Sequence, residues 1–348
     1  MGINNFKNQK ELTIGPLLDL NGNLMEAGFS FQMLREYDRT MIKANKTRIK
    51  EWDYYYIGNN HHGVAFTIDD NYLYGLGSVS ILDFDNKSYI TKSSMKFLTK
   101  GRVSFPPSSS YGDITWQDKN YYLHFYNKDK RRTIDVKIKN YDNNLPFVAH
   151  FELEEVMDDS MVIATPFLKP RHFYYNEKKN CMRAKGYYQF GDKRVDFSDM
   201  DTFAILDWGR GVWTYKNTWY WSGLSGLSNG TMVGFNLGYG FGDTKNASEN
   251  MLFYDKKAYK LDDVTFNIPK DDKGNYKYLE PWTITSNDGS TDLTFTPILD
   301  RCDNTNLLIL KSLQHQVFGK FNGTIKADGI VVNIDNIVSF AERVTNYW

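Results

Sequence analysis

The sequence predicts an all-β fold of two antiparallel β-barrels in tandem, because of its composition, its strand pattern and an internal repeat. Aromatic residues make up 16% of the 348 residues, whereas proline occurs only 9 times. Aromatic and β-branched side chains fit the pleated, half-buried surface of a sheet. Short alternating segments, such as VAFTI at 64–68 and TMVGFNL at 231–237, recur between glycine, asparagine and aspartate residues. This spacing of short strands and turn signals is typical of barrels and sandwiches.

The internal repeat has an offset of 170 residues, which takes position 84 to 254 and position 114 to 284. FDNKSY at 84–89 aligns with YDKKAY at 254–259, and ITWQD at 114–118 aligns with ITSND at 284–288. A period of this length is far longer than a solenoid unit. It indicates duplicated domains, each large enough for one antiparallel barrel to close on itself and hide its edges.

The predicted first domain is a barrel with an N-terminal extension in residues 1–200, and the predicted second domain is a barrel in residues 201–348. The two are expected to join near 198–215. Segment 184–197 resembles segment 321–334, so each barrel is expected to close with a similar hairpin.

Charge and cysteine content exclude several classes of protein. The 42 basic and 42 acidic residues balance, whereas a nucleic-acid-binding protein normally concentrates positive charge on one face. Cys181 and Cys302 are too few for a disulfide framework. The N-terminal residues lack the apolar stretch of a signal peptide, and no run approaches the roughly 18 apolar residues of a membrane span. We therefore expect a cytoplasmic protein with no nucleic-acid partner and no integral membrane segment.

Four tryptophans lie in DWGRGVWTYKNTWYWSGLSG at 207–226, at the predicted junction. Successive side chains of a strand alternate between its faces, so Trp219 and Trp221 share one face, and Trp52 and Tyr54 share a face of an earlier strand. If these faces look into a barrel and line a cavity there, they supply an apolar wall with N–H donors that suits a hydrophobic ligand. The candidate ligand-binding residues are Trp52, Tyr54, Trp208, Trp213, Trp219 and Trp221. If the rings instead fill the barrels, a structural or partner-binding role follows.

Asp207 and Arg210 are the candidate catalytic residues. Asp207 follows the apolar run FAIL and precedes Trp208, so apolar surroundings are expected to favour its protonated form. A protonated carboxylic acid beside aromatic rings can donate a proton to an alkene, with Arg210 positioning the substrate. An ion pair between Asp207 and Arg210 is the alternative, and it excludes the first role because an ion-paired carboxylate has no proton to donate.

Other motifs predict ordinary structure. GLSNG at 226–230 satisfies the pattern G-x-S-x-G, but a strand follows it and Asn229-Gly230 is a hairpin signal, so a hairpin is predicted. His61 and His62 would point to opposite faces of a strand, and no metal site is predicted. Segment 178–180 is predicted to be a solvated turn. No cofactor is expected, because no nucleotide-binding pattern with the right spacing is present.

Several segments together resemble the bacterial and fungal family of the domain of unknown function DUF2804. They are LLDLNGNL (17–24), RIKEWDYYYI (48–57), NEKKNCMRAKG (176–186), LDWGRGVWTYKNTWYW (206–221) and a final E-R-V-x-N-x-W (342–348). That family is similar to the lipocalin-like superfamily of the AttH proteins, carotenoid 1,2-hydratase and tocopherol cyclase. Members of that superfamily have two lipocalin-like (calycin) barrels in tandem, and a W-E-W-W-Y motif opens the first. Here the equivalent segment, 52–56, reads WDYYY.

The resemblance implies two tandem lipocalin-like antiparallel β-barrels. Together with the aromatic faces and the alternative of filled barrels, it leaves three candidate functions. The first is binding of a hydrophobic or amphipathic small molecule, lipid-like or isoprenoid-like. The second is a cofactor-independent hydratase, cyclase or isomerase with Asp207 as general acid. The third is a structural or partner-binding protein whose barrels are filled.

Overall fold

The computed structural model describes residues 9–307 and 310–347, and strands dominate this part of the chain. It contains 24 strands and two 3-10 helices, Arg39–Met41 and Lys46–Arg48. The strands are β1 Gly15–Pro16, β2 Gly28–Ser30, β3 Arg35–Glu36, β4 Ile49–Gly58, β5 His62–Asp70, β6 Tyr74–Asp83, β7 Ser88–Phe97, β8 Gly112–Gln117, β9 Tyr121–Lys128, β10 Arg131–Asp142, β11 Leu145–Glu154, β12 Met161–Pro166, β13 Phe173–Phe190, β14 Lys193–Phe197, β15 Phe203–Val212, β16 Lys216–Ser228, β17 Thr231–Tyr239, β18 Met251–Tyr254, β19 Lys257–Lys260, β20 Val264–Asn267, β21 Trp282–Ser286, β22 Thr291–Leu307, β23 Leu310–Ala327 and β24 Ile330–Tyr347. The N-terminal residues 1–8 and the final tryptophan of the E-R-V-x-N-x-W segment lie outside the described residues.

The first large sheet follows the order β7-β6-β5-β4-β15-β13-β11-β10-β9-β8, with β2, β12 and β14 attached beside β13. Neighbouring strands in this order are antiparallel. Its two end strands, β7 and β8, are consecutive in the chain, so the sheet curls back on itself as a barrel does. This arrangement confirms the predicted first antiparallel barrel.

The second large sheet follows the order β19-β18-β17-β16-β24-β23-β22-β21-β20, and its end strands are again consecutive in the chain. Together the two curled sheets confirm the predicted all-β fold of two tandem lipocalin-like barrels. The chain passes from one sheet to the other at residues 213–215, within the expected junction. Strand β15, on the far side of the boundary predicted at residue 200, is hydrogen-bonded to β4 and β13 in the first sheet.

The internal repeat corresponds to equivalent strands only in part. The turn that follows β6 and the turn that follows β18 each join the last two strands at one end of a sheet. The first sheet then has four strands, β8 to β11, before the order reaches β13, whereas the second has three before β23. The later matches of the 170-residue offset therefore fall on strands with different neighbours. The hairpin predicted at Asn229-Gly230 is confirmed, because Ser228 pairs with Thr231 across that turn.

Packed side chains fill both barrels. Tyr55, Phe66 and Trp208 belong to the core of the first barrel, and Phe235 and Trp282 belong to the core of the second. On β4 the alternation predicted from the sequence holds, with residues 53, 55 and 57 facing the barrel interior and residues 52, 54 and 56 facing outward. The outward rings pack against the second sheet in a separate cluster that includes Tyr54, Tyr56, Trp221, Phe318 and Phe340. None of the helices in the described ranges is long and apolar enough to cross a membrane.

Candidate functional site

A cavity of about 610 Å³ lies between the outer faces of the two sheets, and we call it the seam cavity. Strands β4 to β7, β13 and β15 form its first side, and β16 and β22 to β24 form its second. The sequence left open whether the aromatic faces line a cavity or fill the barrels. The faces that carry Trp52, Trp219 and Trp221 do not look into a barrel, because the barrel interiors are packed by other side chains and the cavity lies between the barrels.

Strand register gives the first side of the seam cavity its polar row. Lys178 on β13 is the direct partner of Asp207 on β15, which is the partner of Tyr54 on β4. Thr67 on β5 and Ser78 on β6 continue the row. Direct partners of an antiparallel sheet have their side chains on the same face, so all five line the cavity.

The second side carries a matching row. Trp221 on β16 is the partner of Glu342 on β24, which is followed by Gln316 on β23 and Arg301 on β22. The two rows meet where the Tyr54 hydroxyl donates a hydrogen bond to Gln316 Oε1 over 3.3 Å. The seam cavity is therefore bounded by side chains that two sheets contribute in register.

Aromatic rings form one end of the cavity. The Trp213 ring lies 5.2 Å from the Trp52 ring and 5.9 Å from the Trp219 ring, in edge-to-face contacts. Phe241 packs 4.7 Å from Trp213, and Tyr174 stacks 6.0 Å from Trp52. The cavity lining includes five of the six predicted ligand-binding residues: Trp52, Tyr54, Trp213, Trp219 and Trp221.

Trp208 is the sixth predicted ligand-binding residue, and the structure places it elsewhere. It alternates with Asp207 along β15, so its ring points into the first barrel, where it is fully buried. Tyr37 and Tyr175 make edge-to-face contacts with it at 6.4 and 5.8 Å. The same alternation that directs Asp207 to the cavity removes Trp208 from it.

Arg210, the second predicted catalytic residue, also points into the first barrel and is fully buried. Its Nη1 donates to Asp53 Oδ1 over 3.0 Å and to the carbonyl oxygen of Trp52 over 2.7 Å. Its guanidinium carbon lies 4.1 Å from the centre of the Trp208 ring. Arg210 therefore does not line the seam cavity, and the alternative ion pair with Asp207 does not form.

Asp207 does line the seam cavity, but with a different partner from the one expected. Lys178 Nζ lies 2.8 Å from its Oδ1, and Asn176 Nδ2 donates to the same oxygen over 2.6 Å. The ammonium also lies 3.8 Å from the centre of the Trp221 ring, which is a cation–π distance. Lys178 is buried on β13, so the solvated turn predicted for 178–180 is wrong.

Glu342 is the buried acid of the second side, and it is 3% exposed. Its Oε1 accepts a hydrogen bond from Trp219 Nε1 over 2.9 Å, and its Oε2 accepts one from Gln316 Nε2 over 3.0 Å. Burial raises the pKa of Glu342 to about 7, while the Trp219 hydrogen bond and the positive charges of Lys178 and Arg301 act in the opposite direction. This carboxyl exchanges a proton near neutral pH.

Two more carboxyls whose pKa is raised by burial lie in the wall. Glu249, between β17 and β18, accepts a hydrogen bond from Asn236 Nδ2 over 3.2 Å, and burial raises its pKa. Asp69 on β5 lies in the more polar part of the cavity, and burial raises its pKa to about 7 against the effect of Lys50. Within residues 9–307 and 310–347, no three metal-ligating side chains are placed to share an ion.

Sequence comparison gives the family of this chain. Residues 9–348 match the domain of unknown function DUF2804. The chain belongs to the DUF2804 family. No curated protein matches it by sequence.

Solved structures similar to this DUF2804 protein include the following three. A Nitrosomonas europaea protein described as an AttH is 12% identical, with a TM-score of 0.54 over 96% of this chain and 100% of that one. CghA in complex with Sch210972 is 8% identical, with a TM-score of 0.54 over 96% and 97%. Kievitone hydratase from Nectria haematococca is 12% identical, with a TM-score of 0.49 over 99% and 98%. The first two likenesses show a shared lipocalin-like fold.

Two charged residues of the DUF2804 site, Lys178 and Glu342, were absent from the predicted set. Both lie in segments that carried the family resemblance, 176–186 and 342–348. Their position in these segments is the sequence feature that could have identified Lys178 and Glu342 as site residues. What the sequence lacked was the pairing of β13 with β15 and of β24 with β16, which brings each residue to the seam.

Proposed function

We propose that this DUF2804 protein binds an amphipathic small molecule, lipid-like or isoprenoid-like, in the seam cavity. The observation that carries the proposal is a cavity of about 610 Å³ whose wall includes the indoles of Trp52, Trp213, Trp219 and Trp221. Small-molecule pockets typically measure about 300–1,000 Å³ and combine an aromatic lining with a few polar groups.

The cavity wall has an aromatic end and a part that carries hydroxyl groups. This division supports an amphipathic ligand over a purely apolar one. The indole end suits an apolar body, because large rings cover much surface and lose little conformational entropy. Thr67, Ser78 and Ser93 line the remainder and offer hydroxyl groups. The barrel interiors are packed, and the presence of the seam cavity between them supports ligand binding over a purely structural role for filled barrels.

Tryptophan fluorescence tests the proposal. Titration with geranylgeraniol and with palmitate is expected to change the emission of the wild type in a saturable way. Trp219→Phe is expected to weaken binding at least fivefold, because the ring loses area and its hydrogen bond to Glu342. The matched control is Trp282→Phe, which changes a fully buried indole inside the second barrel, away from the cavity. Flat titrations, or equal effects of the two variants, would refute the proposal.

A cofactor-independent acid–base enzyme is the second candidate function, and Glu342 is the observation that favours it. A carboxyl whose pKa is about 7 is suited to proton transfer at neutral pH. Asp207, the general acid proposed from the sequence, is less suited, because Lys178 and Asn176 hold its carboxylate.

Deuterium incorporation from D2O into isoprenoid alkenes, followed by mass spectrometry, distinguishes the two acids. Glu342→Gln is expected to abolish incorporation, and Asp207→Asn is expected to retain it. Loss with Asp207→Asn alone would restore the assignment made from the sequence. No incorporation above the uncatalysed rate with the wild type would remove this second candidate.

A further inference from the structure

The charges at the indole end of the seam cavity do not balance. Asp207, Glu249 and Glu342 contribute three carboxyls there, and Lys178 contributes one ammonium. Acidic residues also outnumber basic residues in the whole cavity lining. The cavity wall contains the acids Asp69, Asp207, Glu249, Asp303 and Glu342 and the bases Lys178, Arg301 and Lys311.

The one ammonium at this end, that of Lys178, already forms an ion pair with Asp207. Lys178 Nζ lies 2.8 Å from Asp207, whereas the closest donors to Glu342 are the neutral groups of Trp219 and Gln316. In the described ranges, no lysine or arginine nitrogen lies within 4.0 Å of the carboxylate of Glu342 or Glu249. A buried carboxylate without a cation is costly, so these groups either take a proton or need a positive partner.

The chain itself shows what this wall accepts. The Lys178 ammonium lies between a carboxylate, Asp207, and an aromatic ring, Trp221. Trp219 and Glu342 form a second ring and carboxylate pair, with Trp219 Nε1 2.9 Å from Glu342 Oε1. Trp219 lies two residues before Trp221 on β16, on the same face. In the described part of the chain, no lysine or arginine forms an ion pair with Glu342 or a cation–π contact with Trp219, although Lys178 and Arg301 act on Glu342 from a longer distance.

We propose that the ligand of the seam cavity is a cationic amphiphile, whose ammonium group lies against Trp219 and Glu342 and whose apolar body lies against the remaining indoles. This inference rests on the proposed function and names its ligand class. A protonated or quaternary amine gains cation–π attraction from the rings and supplies the positive charge that the buried carboxyls lack. Fatty acids add to the negative excess, so they bind more weakly than amines with the same chain.

Three probes with one apolar body test the charge preference: decyltrimethylammonium, decanol and decanoate, each below its micellar concentration at pH 7.5. Calorimetric titration is expected to give at least tenfold tighter binding for the cation than for the alcohol, with decanoate weakest. Glu342→Gln is expected to reduce the affinity for the cation about tenfold and to change that for the alcohol less than twofold. Glu152→Gln is the matched control, because Glu152 is an exposed acid paired with Lys185 outside the cavity.

The outcomes separate this inference from the proposed function. If decanoate binds as tightly as the cation, or if Glu342→Gln leaves the preference unchanged, the cationic ligand class is wrong while binding in the seam stands. If none of the three probes binds, the proposed function fails together with this inference. Thermal unfolding checks that Glu342→Gln is folded. Glu249→Gln removes another carboxyl from the same wall and serves as a second variant.

Discussion

The Lys178 ammonium lies 2.8 Å from Asp207 Oδ1 and 3.8 Å from the centre of the Trp221 ring. Lys178 and Asp207 belong to the first sheet and Trp221 to the second, so one buried cation joins the two barrels. Asn176 Nδ2 completes the arrangement by donating to the same carboxylate oxygen over 2.6 Å. An ion pair in such a place is stabilising only while both partners are present, because each charge alone is left without solvent.

We predict that Lys178→Met destabilises the protein by about 3–5 kcal/mol, because the Asp207 carboxylate loses its cation. Urea unfolding at pH 7 measures this change. The double variant Lys178→Met/Asp207→Asn is expected to recover at least half of the loss, since it removes the uncompensated charge as well.

The control for this prediction is an exposed ion pair. Lys185 and Glu152 lie 3.1 Å apart with both side chains more than half exposed. Lys185→Met is therefore expected to cost less than about 1 kcal/mol. Equal effects of Lys185→Met and Lys178→Met would show that burial of the seam pair has no energetic consequence.

Arg210→Met is predicted to lower stability without weakening ligand binding. The guanidinium is fully buried and pairs with Asp53 inside the first barrel, so its loss is expected to cost about 3–5 kcal/mol. Its side chain faces away from the seam cavity. Urea unfolding and the geranylgeraniol titration, carried out below the unfolding transition, measure the two quantities. A tenfold loss of affinity in folded Arg210→Met would restore Arg210 to the site.

The fold followed from local features of the sequence. The alternation of residues 52 to 57 and the turn at Asn229-Gly230 each depend only on neighbouring residues, and the structure confirms both. The sharing of one face by Trp219 and Trp221 depends on the same period of two, and both line the cavity. Features that depend only on residues close together in the sequence were therefore predictable.

The site depended on contacts that are distant in the sequence. Alternation already places Asp207 and Trp208 on opposite faces, so no single cavity holds both, and this could have been deduced without coordinates. The partner of Asp207 could not have been deduced in this way, because Lys178 reaches Asp207 through the pairing of β13 with β15. Whether the indoles face a barrel interior or the seam depends on how the second sheet packs against the first.

The stability of the protein is predicted to fall as the pH rises from about 4.5 to 7, through Glu342. Its pKa is raised from the usual 4.5 to about 7 by burial, so in this window the native state binds more protons than the unfolded state. Raising the pH therefore favours unfolding, and Glu342 lowers the free energy of unfolding by about 3 kcal/mol over the whole window. Asp69 acts in the same direction, because its pKa is also raised to about 7.

Urea unfolding at pH 5 and pH 7.5 measures this dependence. Glu342→Gln is expected to be less sensitive to pH than the wild type, and the difference between the two profiles isolates the contribution of Glu342. Asp69→Asn is the companion variant, and its effect is expected to add to that of Glu342→Gln. Parallel profiles for the wild type and Glu342→Gln would contradict the raised pKa.

Gly209→Ala is predicted to displace Trp52 from the cavity wall. A Cβ at position 209 would overlap the Trp52 indole, and Trp52 is itself held between Tyr174 and Trp213. The indole has to move, so we expect a loss of about 2–3 kcal/mol in urea unfolding and weaker binding of geranylgeraniol. Gly223→Ala is the control, because its Cβ would meet side-chain ends no closer than 3.1 Å and its loss is expected to be smaller. Equal losses for the two variants would contradict the close approach of Trp52 to Gly209 and, with it, the reason for the first glycine of the LDWGRGVW segment.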